Sequence, residues 1–470
     1  MNIIEWFGSN LKVKRWLFFI LAGVIMLSWG FSKLLQNDSV DVGYVIKYGA
    51  LTVFGVALIV WAYIMSQKAL IQTIAEATVK TNKNINIKKL VYDKKALDKG
   101  IKIVVVGGGS GLAPVLKGLK AYSENITAIV NTAMGGSVDD ALTNELGILP
   151  PNDVRQSIIA LSSSEEKMQN LMKYRFKVGK LKGQNFANIL LAAMNDICDN
   201  NFAKAIQDTS EVLSVTGKVL PVTLERVKIG AVLKDGTRVI GDDNITDKVI
   251  ERKSGIEKIY MQPAVIEPCP GVIKSIKEAD LIVIGPGSLY TGILPDLLLK
   301  EVSDNIRGSK ALKIFVSNIM TEPGQTDGYK VSDLVNSIHE HVGKGIIDIV
   351  LASDSVIMPE YVRRYNEEGQ EILEIDKSEI KDTGVKLCID DFVYTDEQGF
   401  IRHDPKKLSA AIMTLAYNNM DMKHSKEAYE AHKIKAKLEK NKKKKKSILF
   451  QDTKIISSSK IKKESSSKDK

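Results

Sequence analysis

The first seventy residues show neither strand-like alternation nor an amphipathic helical stripe. Trp16 to Phe31 carries no charge over 16 residues, and Leu34 and Leu35 extend it past Lys33. Tyr48 to Gln67 is a second uncharged run of 20. Crossing a hydrocarbon core takes about 20 predominantly apolar residues. Trp16, Trp29, Trp61 and Tyr63 stand near the ends of these runs, where interfacial aromatics are expected. A cleavable leader is the rival reading of the first run, with Lys12, Lys14 and Arg15 as its basic region. Phe31, Leu34 and Leu35 occupy the place where its small cleavage residues would stand, so a transmembrane hairpin over residues 1–67 is the better expectation. Lys12, Lys14 and Arg15 precede it, and Lys68, Lys80, Lys83, Lys88 and Lys89 follow it. The positive-inside rule then predicts a two-span protein of the plasma membrane, with both termini and everything after the spans in the cytoplasm.

The pattern changes after a polar linker at 68–97. Apolar strand-like runs at Ile101–Val106, Ile126–Val130, Leu281–Ile284, Lys313–Val316 and Ile346–Leu351 are separated by helical periodicity, as at Ala113–Ala121 and Pro295–Val302. Continuous apolar strands alternating with helices predict an α/β fold, a Rossmann-like and mostly parallel sheet covered on both faces. The stretch from about 165 to 270 has another texture. It holds a helix candidate at Gly183–Asn195 and a hairpin at Val227–Ile240 built on an Asp-Gly turn. It predicts a helical and β-hairpin elaboration on a domain spanning 98–418. Residues 419–470 form a basic tail whose Lys- and Ser-rich composition predicts disorder.

The chain of 470 residues has a formal charge of +10, which invites a nucleic-acid reading. Asp421 to Lys470 holds 17 Lys against 7 Asp or Glu, which accounts for the whole excess. The folded part is neutral and nucleic acid is not an expected partner. Beside a membrane the tail is either a solvated segment or one drawn to anionic lipid. Cys198, Cys269 and Cys388 are far apart, with no CxxC spacing, and suggest neither a disulfide framework nor a zinc site.

Chemistry concentrates where strands end. Ile101–Val106 runs into Gly107, Gly108, Gly109, Ser110 and Gly111, and a helix pattern follows. Glycines let backbone approach a ligand, and a helix N-terminus offers free N–H groups to an anion. The loop is no Walker A motif, since Lys117 follows Leu116, and no dinucleotide fingerprint, since Leu112 and Pro114 stand where a third glycine is needed. The second strand ends in Val130, Asn131 and Thr132, with no acidic residue for a ribose. A second small-residue loop, Gly285-Pro286-Gly287-Ser288, follows Leu281–Ile284, and Asn318 and Asp354 follow later strands. None of the five histidines is expected at a strand end.

In order along the chain, GGGSGL, ITAIV, ELGILPPNDVR, GPGSLYTGILPDLL, NIMTEPGQTDGY and RHDPKKLSAAI resemble one family, over about Ile101 to Thr414. It is the family of 2-phospho-L-lactate transferase and the gluconeogenesis factor, CofD-like and YvcK-like. The resemblance implies a Rossmann-like domain that binds a nucleotide-containing ligand and commonly dimerises. Its transferase branch uses magnesium. Its gluconeogenesis-factor branch, which this chain resembles more closely, is associated with UDP-sugar binding and with cell shape and wall synthesis. Two departures stand out. Where the family has paired aspartates after ITAIV, this chain has Met134 and Gly135, with Asp139 and Asp140 five residues later and Ala141 in place of an arginine. Where the family has a histidine before GNLLLAA, this chain has Gln184, with Ala187 for the glycine and Asn188 kept. Met supplies no hard oxygen ligand for magnesium, and the loss of histidine removes a general acid or base.

The expectation is therefore a binder, not an enzyme, that needs no cofactor. Gly107, Gly108, Gly109 and Gly111 would approach the diphosphate of a nucleotide sugar such as UDP-N-acetylglucosamine, with Ser110 donating. Asn131 would meet base or ribose, Asn188 keeps a family position, and Gly285, Gly287 and Ser288 complete the cradle. Tyr290 would stack on base or sugar, Asn318 and Thr321 would bond the sugar, and Arg364 would neutralise the diphosphate. The alternatives are a transferase that recruits Mg2+ through Asp139, Asp140 or Asp153, and an interaction scaffold without ligand. Expected partners are the ligand, the membrane through residues 16–67, a second copy, and a cell-wall or signalling protein.

Overall fold

A computed structural model of the chain describes residues 14–36, 42–78, 97–133, 147–164, 166–396 and 399–419. Met134, Gly135, Asp139, Asp140 and Ala141 lie outside the described residues, as do most of the linker and the whole of 420–470. The chain divides into two compact units, Met1–Asp93 and Lys94–Lys470.

In the first unit, α1 (Lys14–Leu35) and α2 (Val42–Thr78) pack as an antiparallel pair. Glycines set the contact. A Cβ on Gly23 would come 2.9 Å from Gly55 O, one on Gly55 2.8 Å from Leu27 N, and one on Gly30 3.0 Å from Tyr48 O. Small residues that let two backbones touch are how helices associate where no hydrophobic force separates protein from solvent. Trp61 meets Trp16 edge-on at 5.2 Å and Phe19 at 5.9 Å. The outer faces expose Phe18, Trp29, Phe31, Val53 and Phe54. Trp16–Leu35 and Val42–Ala69 are long and apolar enough to cross a membrane.

The second unit is built on a seven-stranded sheet. Its chain order begins with β1 (Ile103–Gly107), α3 (Leu112–Leu119), β2 (Ile126–Val130), α4 (Asn152–Leu161), α5 (Glu166–Lys173), α6 (Phe186–Ile197), α7 (Phe202–Val212) and β3 (Lys218–Pro221). An inserted three-stranded antiparallel sheet follows, made of β4 (Lys228–Leu233), β5 (Arg238–Ile240) and, after α8 (Asp242–Arg252), β6 (Ile256–Gln262). Then come α9 (Val272–Glu278), β7 (Leu281–Ile284), a π-helical turn over Leu289–Ile293, α10 (Leu294–Leu298), α11 (Lys300–Gly308) and β8 (Leu312–Val316). The chain continues through α12 (Val331–Val342), β9 (Ile349–Ser353), α13 (Pro359–Glu367), α14 (Lys377–Asp382) and β10 (Lys386–Asp390). It closes with the antiparallel pair β11 (Val393–Thr395) and β12 (Ile401–His403) and with α15 (Pro405–Asn419).

The large sheet has the order β10-β9-β8-β7-β1-β2-β3, and each of its pairs is parallel. The central strands read as unbroken apolar runs because both faces are covered. Val104, Val106, Ile282, Ile284 and Phe315 enter one core, and Ile103, Val105, Leu281, Val283 and Ile314 enter the other. The predicted helix Pro295–Val302 is two helices broken at Leu299, whose extended backbone separates α10 from α11. The elaboration expected at 165–270 is present as α5 to α7 and the inserted sheet. His341 ties that sheet to α12, since its Nδ1–H donates to Ser337 O at 2.7 Å and its Nε2 accepts from the Ile259 N–H at 3.0 Å.

Helix α15 lies against α3 at Gly118, where a Cβ would overlap Pro405 O and come 2.8 Å from Ser409 Cβ. Gly118→Ala is expected to lower stability by about 1–3 kcal/mol through overpacking, despite Ala being the better helix former. Replacing the exposed neighbour Lys117 by Ala should change it by less than about 0.5 kcal/mol. Thermal unfolding of the two variants against the parent checks both values.

Candidate functional site

The order of the large sheet reverses between β1 and β7, so crossovers leave these two strands in opposite directions and open a crevice at their carboxyl ends. Both glycine loops stand there. They lean on each other through backbone: a Cβ on Gly111 would sit 2.7 Å from Pro286 O, and one on Gly287 would overlap Gly108 O. A Cβ on Gly108 would overlap Asp153 Oδ2 and come 3.2 Å from Asn131 Cβ. Gly109 differs. Its φ is +77°, a conformation that favours glycine, and nothing lies within 4 Å of where its Cβ would point. Helix α3 starts three residues later without a side-chain cap. Its first-turn N–H groups and the exposed Ser110 therefore border the open side of the loop.

Several residues expected to meet a ligand hold the cradle together instead. Asn131 is buried, with its Nδ2–H donating to Thr291 O at 2.7 Å and its Oδ1 accepting from the Ala133 N–H at 2.8 Å. Both ends of the amide are in use, so it fastens the end of β2 to the second loop and is not free for base or ribose. Asn318 works similarly from β8: its Oδ1 accepts from the Gly287 N–H at 3.1 Å, and its Nδ2 faces Glu322 Oε1 at 3.4 Å. Gly285 takes φ +69° and Ser288 is half-buried at the rim.

Tyr290 is a core residue, only 1% exposed, and does not reach a ligand by stacking. Its hydroxyl lies 2.7 Å from the Tyr329 hydroxyl, and burial pushes its pKa far up. Thr321 is also buried, and it exchanges bonds with Glu371: the Thr321 N–H donates to Glu371 O at 2.8 Å, and the Glu371 N–H donates to Thr321 Oγ1 at 2.9 Å. Arg364 is exposed on α13, with its guanidinium 4.9 Å from the centre of the Phe400 ring. These contacts assign it to the β11–β12 connection and not to the glycine loops. Asn188 is fully buried on α6, and neither of its amide atoms has a hydrogen-bond partner among the described residues. Asp354 is exposed.

Beneath the loop lies a pair of buried carboxyls. Asp153, in the first turn of α4, accepts from the Gly109 N–H. Burial pushes its pKa up to about 6, while that bond and the charge of Arg155 pull it down. Asp296, on α10, was not singled out from sequence. It is fully buried, and its pKa is raised well above the ordinary value by burial and then by the charge of Asp153. The Gly107 N–H favours its charged form, yet neither carboxyl oxygen has a partner of hydrogen-bond geometry among the described residues. A charged Asp153 nearby makes ionising Asp296 costlier still in a low dielectric. Magnesium prefers an octahedral set of oxygens. Among the described residues no three His, Cys, Asp or Glu side chains converge as a metal site.

His403 corrects the expectation that no histidine ends a strand. It closes β12, buried, with its ring stacked 5.8 Å from Phe392. Burial lowers its pKa to about 4, against a raising contribution from the Ser317 backbone. A neutral, buried imidazole beside the end of β8 is held for packing, and its short strand carries too little alternation to be read from sequence.

Comparison with known proteins agrees with this geometry. Residues 103–393 match the family model described as 2-phospho-L-lactate transferase CofD. A protein of Clostridium acetobutylicum named "Putative gluconeogenesis factor" is 39% identical over 447 residues, covering 94% of this chain and 98% of its own. The "Gluconeogenesis factor" of Bacillus subtilis is 39% identical over 315 residues, which is 67% of this chain and 98% of that protein. The crystal structure of a UPF0052-family protein from Bacillus halodurans, 37% identical, superposes with a TM-score of 0.62 over 66% of this chain and 99% of its own.

The carboxyl pair sets a pH dependence. With folded pKa values above the unfolded one, protons bound at low pH stabilise the native state, and that contribution is lost as pH rises from about 4 through the raised values. Asp296→Asn is neutral throughout. The variant is expected to melt higher than the parent at pH 8, by about 2–4 °C per kcal/mol gained, with the difference shrinking toward pH 4. Melting curves across that range measure it.

Proposed function

Because the chain belongs to the CofD family, with gluconeogenesis factors among its relatives, we propose that its crevice binds a nucleotide sugar of the UDP type. The chain would serve as a membrane-tethered regulator that binds this ligand and leaves it unchanged. The observation that carries the reading is Gly109, held at φ +77° with open space beside it at the mouth of an uncapped helix. A diphosphate is a compact double anion, and such a terminus offers it N–H groups and a favourable dipole. The Gly107 and Gly109 N–H groups face the carboxyls beneath. The donors for a diphosphate are therefore those of Ser110 to Ala113, before Pro114 ends the supply.

The chemistry favours holding over transforming. Tyr290 and Thr321 are locked in the core, Gln184 replaces the expected histidine, and His403 is held neutral by burial. Regulation of cell shape or wall synthesis belongs to the same proposal, with a cell-wall or signalling protein as its output. So does the topology, in which α1 and α2 cross the plasma membrane and both termini lie in the cytoplasm.

Titrating the detergent-solubilised full chain with UDP-N-acetylglucosamine, with and without Mg2+, separates the readings. Binding that is equally tight without the metal is the expected result. Strict metal dependence would favour a transferase, and no binding of any nucleotide sugar would leave a scaffold. Gly109→Asp puts a carboxylate into the open space and should weaken binding at least about tenfold, or 1.4 kcal/mol. Gly109→Ala carries the same backbone strain of about 1–2 kcal/mol without the charge and controls for it. Unaltered affinity in the Asp variant sinks the loop assignment.

A further inference from the structure

Beyond the carboxyl end of β3, two strands along from the glycine loop of β1, a cavity of about 430 Å³ opens on the surface. Its walls come from the chain leading into α4, the turn between α6 and α7, and the segment that follows β3. Buried Leu149 and Phe202 and the exposed Leu224 give it an apolar lining. Asn195, near the end of α6, also lines it and is only 3% exposed. Its Nδ2–H donates to Asn200 Oδ1 at 3.1 Å. Its own Oδ1 is buried and has no hydrogen-bond partner among the described residues. Folded proteins rarely leave a buried amide oxygen without a donor. One that belongs to a cavity wall calls for a donor brought from outside.

Two opposite charges complete the lining. Asp199 and Arg226 are both exposed, and neither forms an ion pair with the other or with any other described residue. Arg226 Nη2 stands 3.6 Å from where a Cβ on Gly147 would lie, so the guanidinium spans from the segment after β3 to the chain before α4. We propose that this cavity binds a free α-amino acid with an apolar side chain of about leucine's size. Its carboxylate would lie on Arg226, whose planar fork suits a carboxylate. Its ammonium, with three N–H donors and no acceptor, would lie between Asp199 and Asn195 Oδ1. The side chain would pack on Leu149, Phe202 and Leu224. A simple anion would face Asp199 unfavourably and a simple cation would face Arg226, whereas a small zwitterion satisfies both. The cavity falls at the lower end of small-molecule sites, which run from about 300 to 1,000 Å³. It is separate from the glycine-loop crevice, and the proposal stands whatever that crevice holds.

Calorimetric titration of the detergent-solubilised full chain with L-leucine tests the site, with two fragments of leucine as controls. 4-Methylpentanoate keeps the carboxylate and the side chain, and 3-methylbutylamine keeps the ammonium and the side chain. Saturable binding of leucine is expected. Each fragment should bind at least about tenfold more weakly, because each gives up a charge-assisted hydrogen bond. In Arg226→Gln, leucine should bind no better than 3-methylbutylamine. In Asp199→Asn it should bind no better than 4-methylpentanoate. Asp199 has φ +55°, a conformation that asparagine also adopts. Both residues are exposed, so without ligand the two variants should melt with the parent, which ties any lost affinity to lost contacts. No saturable binding of leucine, a fragment that binds as tightly as leucine, or variants that leave its affinity unchanged overturns the proposal.

Discussion

Contact between two backbones is the constraint on which the rest of the second unit depends. The loop after β1 and the loop after β7 touch through Gly111 and Pro286 and through Gly287 and Gly108, with no room for a Cβ on the glycines. The reversal of strand order brings the loops together, and the small residues let them close. Asn131 and Asn318 then tie the second loop and the turn after it to the ends of β2 and β8. The cradle is therefore rigid before any ligand arrives, which lowers the entropy a ligand would lose in ordering it.

Rigidity has an electrostatic counterpart. The N–H groups on the inner side of the first loop face Asp153 and Asp296, two carboxyls too deeply buried to ionise together. A loop that would otherwise present positive potential on both sides keeps it on one. Leu112 and Pro114, where a dinucleotide-binding chain has glycine, belong to the same solution: the turn is stiffened by helix and proline, and its donors cluster at the start of α3.

Much of this was legible in the sequence. Ile126–Val130 and Leu281–Ile284 form strands at the predicted limits because an apolar run between turn residues has few other options. The glycine loops were legible for the same reason. What could not be read was the destination of polar groups. A side chain at a strand end looks alike whether it waits for a ligand, as expected of Asn131 and Thr321, or is spent on a neighbouring loop, as both are. Tyr290 misled because it follows a glycine loop at the crevice, whereas its own ring is buried in the core. Asp296 was passed over because an acidic residue in the first turn of a helix ordinarily faces water.

Why it does not face water follows from the turn before it. In Leu289–Ile293 the Ile293 N–H reaches back five residues to Ser288 O at 2.9 Å, so this turn holds one residue more than an α-helical turn would. Each residue advances an α-helix by about 100°. The surplus residue therefore sets the azimuth of everything after it, and without it Leu297 would take the direction that Asp296 now takes. The acidity under the glycine loop is thus a matter of phase, fixed by a count of residues as much as by the presence of an aspartate.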